Sequence, residues 1–168
     1  MPASQSPPRY SRRAFPAYRY VPGHFPHPTR DPDGHSYGRE VSAPQIFDPD
    51  RWQDSESYLY GVDLFNNGYW WEAHEAWEAC WIAVGRTSTA GLFLQGLIQI
   101  AAACLKKYQG HMDGALRLAA DGLDKFPAHR QTMLGIEMQP LKTALQDFFA
   151  GKKADQPLIH LLQERAPE

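Results

Sequence analysis

The sequence predicts an all-α fold, a compact multihelical array of about five helices preceded by an irregular Pro-rich arm. Three observations lead there. From residue 58 onward, apolar residues recur at spacings of three and four, the period of one helical face. Glycines and prolines punctuate the ends of those runs. No stretch alternates with the period of two that a half-buried strand needs.

The 168 residues, 43% of them hydrophobic, suffice for one core without disulfides and are short for two domains. The division falls at residues 54 and 55, giving an arm over 1–54 and a single all-α domain over 55–168. Residues 1–50 hold ten of the fourteen prolines, together with Arg9, Arg12, Arg13, Arg19, Arg30 and Arg39, and show no helical or strand period. Tyr10, Phe15, Tyr18, Tyr20, Phe25 and Phe47 give the arm aromatic area that a disordered segment lacks. It is expected to be extended and partly docked.

The first helix follows from Tyr58, Val62 and Phe65 and ends at Asn67-Gly68, a pair suited to the left-handed cap. The second spans 69–84 and stops at Gly85. Thr87 or Ser88 caps the third, over 90–108, which Gln109-Gly110 closes. Met112, Ala115, Leu116, Ala119, Leu123 and Phe126 form the stripe of the fourth, ended by Pro127. Pro140 opens a helix through Phe149, and Pro157 opens a short last one to Arg165.

A formal charge of -2 and a pI near 6.4 give no global attraction to nucleic acid. Arg9, Arg12, Arg13 and Arg19 interleaved with Tyr10, Tyr18 and Tyr20 could stack on a single strand, but packing on their own domain or on a protein partner is the plainer expectation. No apolar run reads as long enough to span a bilayer, and the first residues lack the apolar centre of a signal peptide. Cys80 and Cys104 lie in apolar helical segments and read as buried free thiols. A cytoplasmic location without membrane association is expected, and a homo-oligomer is compatible with the sequence.

On a wheel at 100° per residue, Trp70, Ala73, Trp77, Cys80, Trp81 and Val84 of the second helix form an apolar arc that resumes with Trp71 and Ile82. His74 and Glu78 fall inside the arc, Glu75 on its border, and Glu72 outside it as an ordinary solvent-facing carboxylate. The third helix is apolar nearly all round, with Gln95, Gln99 and Lys106 in one sector. If the two helices run antiparallel, Glu78 is level with Gln95 and His74 with Gln99. A carboxylate inside an apolar, Trp-walled sector needs a partner or a raised pKa, and perturbed titration marks candidate functional sites.

His74-Glu75-Ala76-Trp77-Glu78 is close to the zinc-protease pattern H-E-x-x-H with the second histidine replaced by glutamate. A third metal ligand would have to come from His111, His129 or Glu137. A di-iron carboxylate site would want glutamates where the third helix has glutamines. His24, His27 and His35 in the arm match no metal spacing. Neither a Gly-rich phosphate loop nor a Ser-His-Asp or Cys-His arrangement stands out. The plain structural alternative is a satisfied polar network that fixes how the two helices pack.

Phe65-Asn66-Asn67-Gly68, then Trp71-Glu72-Ala73-His74-Glu75-Ala76-Trp77-Glu78 with Trp81, and Gln95-Gly96-Leu97-Ile98-Gln99 with Ala101-Ala102-Ala103 resemble the domain of unknown function family numbered 309. The resemblance covers roughly residues 58–126. It implies a small all-helical array and no established activity, and it falls on the same His74, Glu75, Glu78, Trp81, Gln95 and Gln99.

The sequence therefore predicts a helical module binding a small polar ligand through His74, Glu78, Gln95, Gln99, Trp71 and Trp81. The alternatives are a divalent-metal-assisted or acid/base hydrolase, with His74, Glu75 and Glu78 as catalytic candidates and His74 and Glu78 as metal ligands, and a structural or interaction module. No cofactor is identified.

Overall fold

The computed structural model describes residues 6–40 and 46–163. A 3-10 turn, Pro49–Asp54, leads into α1 (Glu56–Asn66), α2 (Trp70–Val84), α3 (Thr89–Tyr108) and α4 (Met112–Asp124). Two short strands, β1 (Thr132–Met133) and β2 (Ile136–Glu137), precede α5 (Met138–Phe149).

The predicted boundaries have local causes. Ser55 Oγ accepts from the Tyr58 N–H at 3.2 Å and starts α1. Ser88 Oγ accepts from the Gly91 N–H at 3.0 Å and starts α3. Each bond satisfies a donor that the first helical turn leaves open. Gly68, Gly85 and Gly110 follow α1, α2 and α3 at φ of 79°, 91° and 81°, a region that other residues enter at a cost.

Consecutive helices pack on one another, α1 on α2, α2 on α3 and α3 on α4. At the α1/α2 crossing, a Cβ on Gly61 would run into the indole of Trp77, which is fully buried. Its Nε1–H donates to Tyr58 O at 3.3 Å. At the α3/α4 crossing, a Cβ on Gly96 would lie 2.6 Å from Gly122 O, so the backbones approach as only glycine permits. Phe93, Leu94, Leu97, Ile100 and Cys104 of α3 sit at the centre of the core, at 1% exposure or less. Full burial of each large apolar side chain contributes on the order of 1.5–3 kcal/mol.

Four sequence expectations need correction. One helix, α3, does reach the length and mean hydropathy (1.4) of a membrane span, but 56% of that window is buried inside the fold, as befits a central core helix. In α4, Met112 and Leu116 are exposed at 39% and 44%; the buried stripe is Ala115, Ala119, Gly122 and Leu123. The stretch before α5, where the sequence shows no strand period, is a β-hairpin pairing Thr132 with Glu137 and Met133 with Ile136. Its turn residues, Leu134 and Gly135, both have positive φ, 48° and 77°, as a two-residue hairpin of primed type requires.

The fourth correction concerns the C-terminal segment. From Pro157 to Gln163 the chain is not helical. Leu161 bridges Ile136, and the Asn66 amide holds Ile159 at both ends, Oδ1 accepting from its N–H at 2.7 Å and Nδ2 donating to its carbonyl at 2.8 Å. Backbone groups bonded to a side chain and an edge strand are withdrawn from a helix. The predicted end at Arg165 lies outside the described residues.

The described part of the arm lies against α1 and α2. The fully buried Asp63 carboxylate accepts from Arg9 Nε (3.0 Å), Tyr10 N–H (2.8 Å), Ser11 N–H (2.9 Å) and Ser11 Oγ (2.6 Å). Phe15 stacks on Tyr69 at 5.1 Å, and Tyr20 meets Trp71 edge-on at 5.2 Å. Residues 1–5 and 41–45 of the predicted arm lie outside the described residues.

Candidate functional site

Helix α2 presents charged and aromatic side chains to several neighbours, and the neighbours decide each one's role. Trp77 enters the core against α1, while Trp70 donates to Gln156 and packs on Tyr108 at 5.6 Å. Trp71 meets Tyr20 and His27 of the arm, the latter at 5.6 Å. Trp81 carries Arg86 over its ring at 4.8 Å, and its Nε1 is buried without a partner among the described residues. The four tryptophans therefore do not wall a single cluster.

His74, Glu75 and Glu78 do come together. Their donor atoms all lie within 4.8 Å of one another, with His74 Nδ1 3.5 Å from Glu75 Oε1 and His74 Nε2 3.8 Å from Glu78 Oε2. The side chains are not interred as the wheel suggested. Their exposures are 31%, 47% and 41%. Partial burial raises the Glu75 carboxyl above the ordinary glutamate range; His74 opposes the shift and Glu78 adds to it.

The glutamines of α3 are half-buried. Among the described residues, no hydrogen bond joins Gln95 or Gln99 to His74 or Glu78. Gln99 Oε1 is buried with no partner among the described residues. Its Cβ lies 3.3 Å from where a Gly122 side chain would begin, and the Lys106 stem lies similarly close to Gly114. Gln99 and Lys106 of α3 thus rest their stems on glycines of α4.

The residue that sequence reasoning placed in solvent is the buried one. Glu72 is 6% exposed, because the arm covers its face of α2. Its Oε1 accepts from the Tyr20 N–H at 2.8 Å and lies 2.9 Å from His35 Nε2. An ionised carboxylate only accepts, so Nε2 carries a proton, and Ser36 Oγ completes the ring at Nδ1, 2.8 Å away. Glu72 Oε2 is buried and has no partner among the described residues.

Beside Glu72 lies a cavity of about 700 Å³ between the arm and α1–α2. Arg13, His35, Ser36 and Arg39 line it from the arm, Tyr60 from α1, and Trp71, Glu72 and Glu75 from α2. Burial raises the Tyr60 hydroxyl pKa, with Arg13, Arg9 and Arg39 acting against it in that order. Positive charge therefore converges on the Tyr60 side of the cavity. His35, Arg39 and the buried face of Glu72 carry no spacing signal in the sequence, since the arm is brought to α2 only by tertiary contacts.

Residues 58–118 match the profile of a domain of unknown function, DUF309. Over that segment the chain is similar to this family. The segment contains most of α1, all of α2 and α3 and the start of α4, hence the His74/Glu75/Glu78 cluster, Gln95, Gln99 and the α2 wall of the cavity. The matched segment stops short of the predicted limit near residue 126. The arm side of the cavity is built from residues outside it. No curated protein matches the chain.

Proposed function

We propose that the chain binds a small polar molecule in the cavity between the arm and α1–α2. Glu72 Oε2 carries this reading. A buried acceptor on a charged side chain is costly when left without a donor, and here it belongs to a residue lining a cavity of about 700 Å³, a volume typical of small-molecule sites. A thermal-shift screen of the full chain against a metabolite collection tests it. A ligand at about 100 times its Kd stabilises by about 2.7 kcal/mol, enough to move the melting temperature by several degrees. The expected result is a stabiliser whose effect is lost in Trp71→Ala and in Glu72→Gln, with helicity retained. A screen without stabilisers, or equal stabilisation of both variants, contradicts the proposal.

The same activity could be housed at His74, Glu78, Gln95, Gln99 and Trp81, with Trp71 alongside. Gln99 Oε1 and Trp81 Nε1, both buried and unpartnered among the described residues, support that placement. Gln99→Leu distinguishes the two: it abolishes the stabilisation if the ligand sits there and leaves it intact if the ligand sits against Glu72.

Divalent-metal-assisted hydrolysis at His74, Glu75 and Glu78 is the alternative from another class, favoured by the mutual reach of their donor atoms. Metal analysis of protein purified without an affinity tag addresses it directly. Stoichiometric zinc or manganese lost in His74→Ala supports the hydrolase; none, with no uptake on dialysis against either ion, removes it. If substitutions at 74 and 78 change stability alone, the trio is a packing device. A reducing compartment suits either activity, because Cys80 and Cys104 are buried free thiols and burial pushes the Cys80 thiol up to about 11.

A further inference from the structure

We infer that the cavity is built for an amphipathic zwitterion, a molecule with an anionic group, a cationic or multiply donating group and an apolar body. The inference rests on the binding role proposed above and names the class of ligand. Its basis is an unusual charge arrangement. Two cations, Arg13 and Arg39, and two carboxylates, Glu72 and Glu75, line the same cavity, yet among the described residues no ion pair joins either arginine to either glutamate. Glu72 Oε1 is held by His35 and the Tyr20 N–H, and Glu75 lies 3.5 Å from His74. Glu72 Oε2, however, has no partner among the described residues, and neither guanidinium is paired across the cavity, so each sign keeps capacity for a third party.

The alternatives fit less well. A bare anion would satisfy the guanidiniums but would leave Glu72 Oε2 without a donor and would lie in the field of two carboxylates. A bare cation would satisfy Glu72 and leave Arg13 and Arg39 facing it. A ligand carrying both charges answers both sides, an ammonium bringing three N–H donors to Glu72 and a carboxylate or phosphate accepting from the guanidiniums. Leu64, Ala76, Ala79 and Ile82 also line the cavity, and they offer an apolar body a surface to cover.

Calorimetry on the full chain with three matched probes tests the inference: L-phenylalanine, 3-phenylpropanoate, which lacks the ammonium, and 2-phenylethylamine, which lacks the carboxylate. Phenylalanine is expected to bind at least about tenfold tighter than either. Arg13→Met combined with Arg39→Met should reduce phenylalanine and phenylpropanoate binding while sparing phenylethylamine. Glu75→Gln, which leaves the arm contacts of Glu72 in place, should weaken phenylalanine and phenylethylamine and not phenylpropanoate.

Equal affinity for phenylalanine and phenylpropanoate overturns the zwitterion while leaving a binding cavity. No binding of any probe also overturns it, and the metabolite screen then decides separately whether the cavity binds anything.

Discussion

His35 and Glu72, 37 residues apart in the chain, meet at 2.9 Å, with both side chains about 95% buried. The contact fixes part of the irregular arm to the second helix and orients the carboxylate that borders the cavity. Glu72→Ala removes a charged acceptor from the Tyr20 N–H and the His35 ring together. Hydrogen bonds to charged groups contribute about 1.5–3 kcal/mol each, so urea unfolding should show a loss of about 3 kcal/mol. Limited proteolysis should at the same time cut faster between residues 18 and 40. Unchanged cleavage would mean that the arm is held elsewhere.

Asp63 anchors the beginning of the described arm. Removing one partner of a buried, hydrogen-bonded charge pair costs about 3–5 kcal/mol. Asp63→Ala also leaves the N–H groups of Tyr10 and Ser11 without their acceptor. The expected loss is near the lower figure, since the Arg9 side chain is 38% exposed and can turn to water. Deletion of residues 1–45 should lower stability by more than this substitution alone. Equal stability of the truncated and full chains would show that these bonds contribute nothing net.

Gly61→Ala probes the crossing of the first two helices. On an open helix surface the change would stabilise, alanine being the better helix former by about 1 kcal/mol. Here the added methyl meets the Trp77 indole, and overpacking of a close-packed core costs about 1–3 kcal/mol. The net effect should be a lower melting temperature with quenched or shifted Trp fluorescence. Stabilisation would indicate that Trp77 can repack.

Glu75 supplies a pH prediction with a definite sign. Its carboxyl titrates above the ordinary glutamate range because partial burial disfavours the charged form. A folded-state pKa above the unfolded one means that the protonated form favours folding. That contribution is present below the unfolded value, about 4.3, and is lost as the pH rises through the folded value. His74→Ala removes the opposing influence and should raise the Glu75 midpoint further, whereas Glu78→Gln should lower it. Carboxyl carbon NMR titration reads both; an unmoved midpoint in His74→Ala would show that the two do not interact.

The sequence made visible what is encoded locally. The stops at Gly68, Gly85 and Gly110 and the cap at Ser88 depend on residues within a turn of the boundary. Residues 134–135 were opaque because a leucine, not asparagine or aspartate, occupies the first left-handed position of the hairpin. Its cost, about 1–2 kcal/mol, is offset by burial of the Leu134 side chain and by the Tyr58 hydroxyl donating to its carbonyl at 2.7 Å. The wheel of the second helix failed in a more instructive way. It weighed one covered face, but the arm covers another, so Glu72 became buried while Glu78 stayed 41% exposed. The polar trio His74, Glu75 and Glu78 was legible because its spacing lies within one helix; the cavity was not, because its opposite wall is non-local.

The cavity joins two parts of the chain with different standing: a floor supplied by helices of the DUF309-like segment and a roof supplied by residues outside the matched segment. The floor cannot change freely, since its helices are also the hydrophobic core. The roof carries Arg13, His35 and Arg39 on irregular backbone that is tied to the helices through Asp63 and Glu72. Changing the lining side chains of that stretch while keeping its bonds to Asp63 and Glu72 would recolour the chamber and leave the packing of the helices beneath it in place. The arm is thus the natural place to retune what this scaffold accepts, in the way a lens is changed on a fixed camera body.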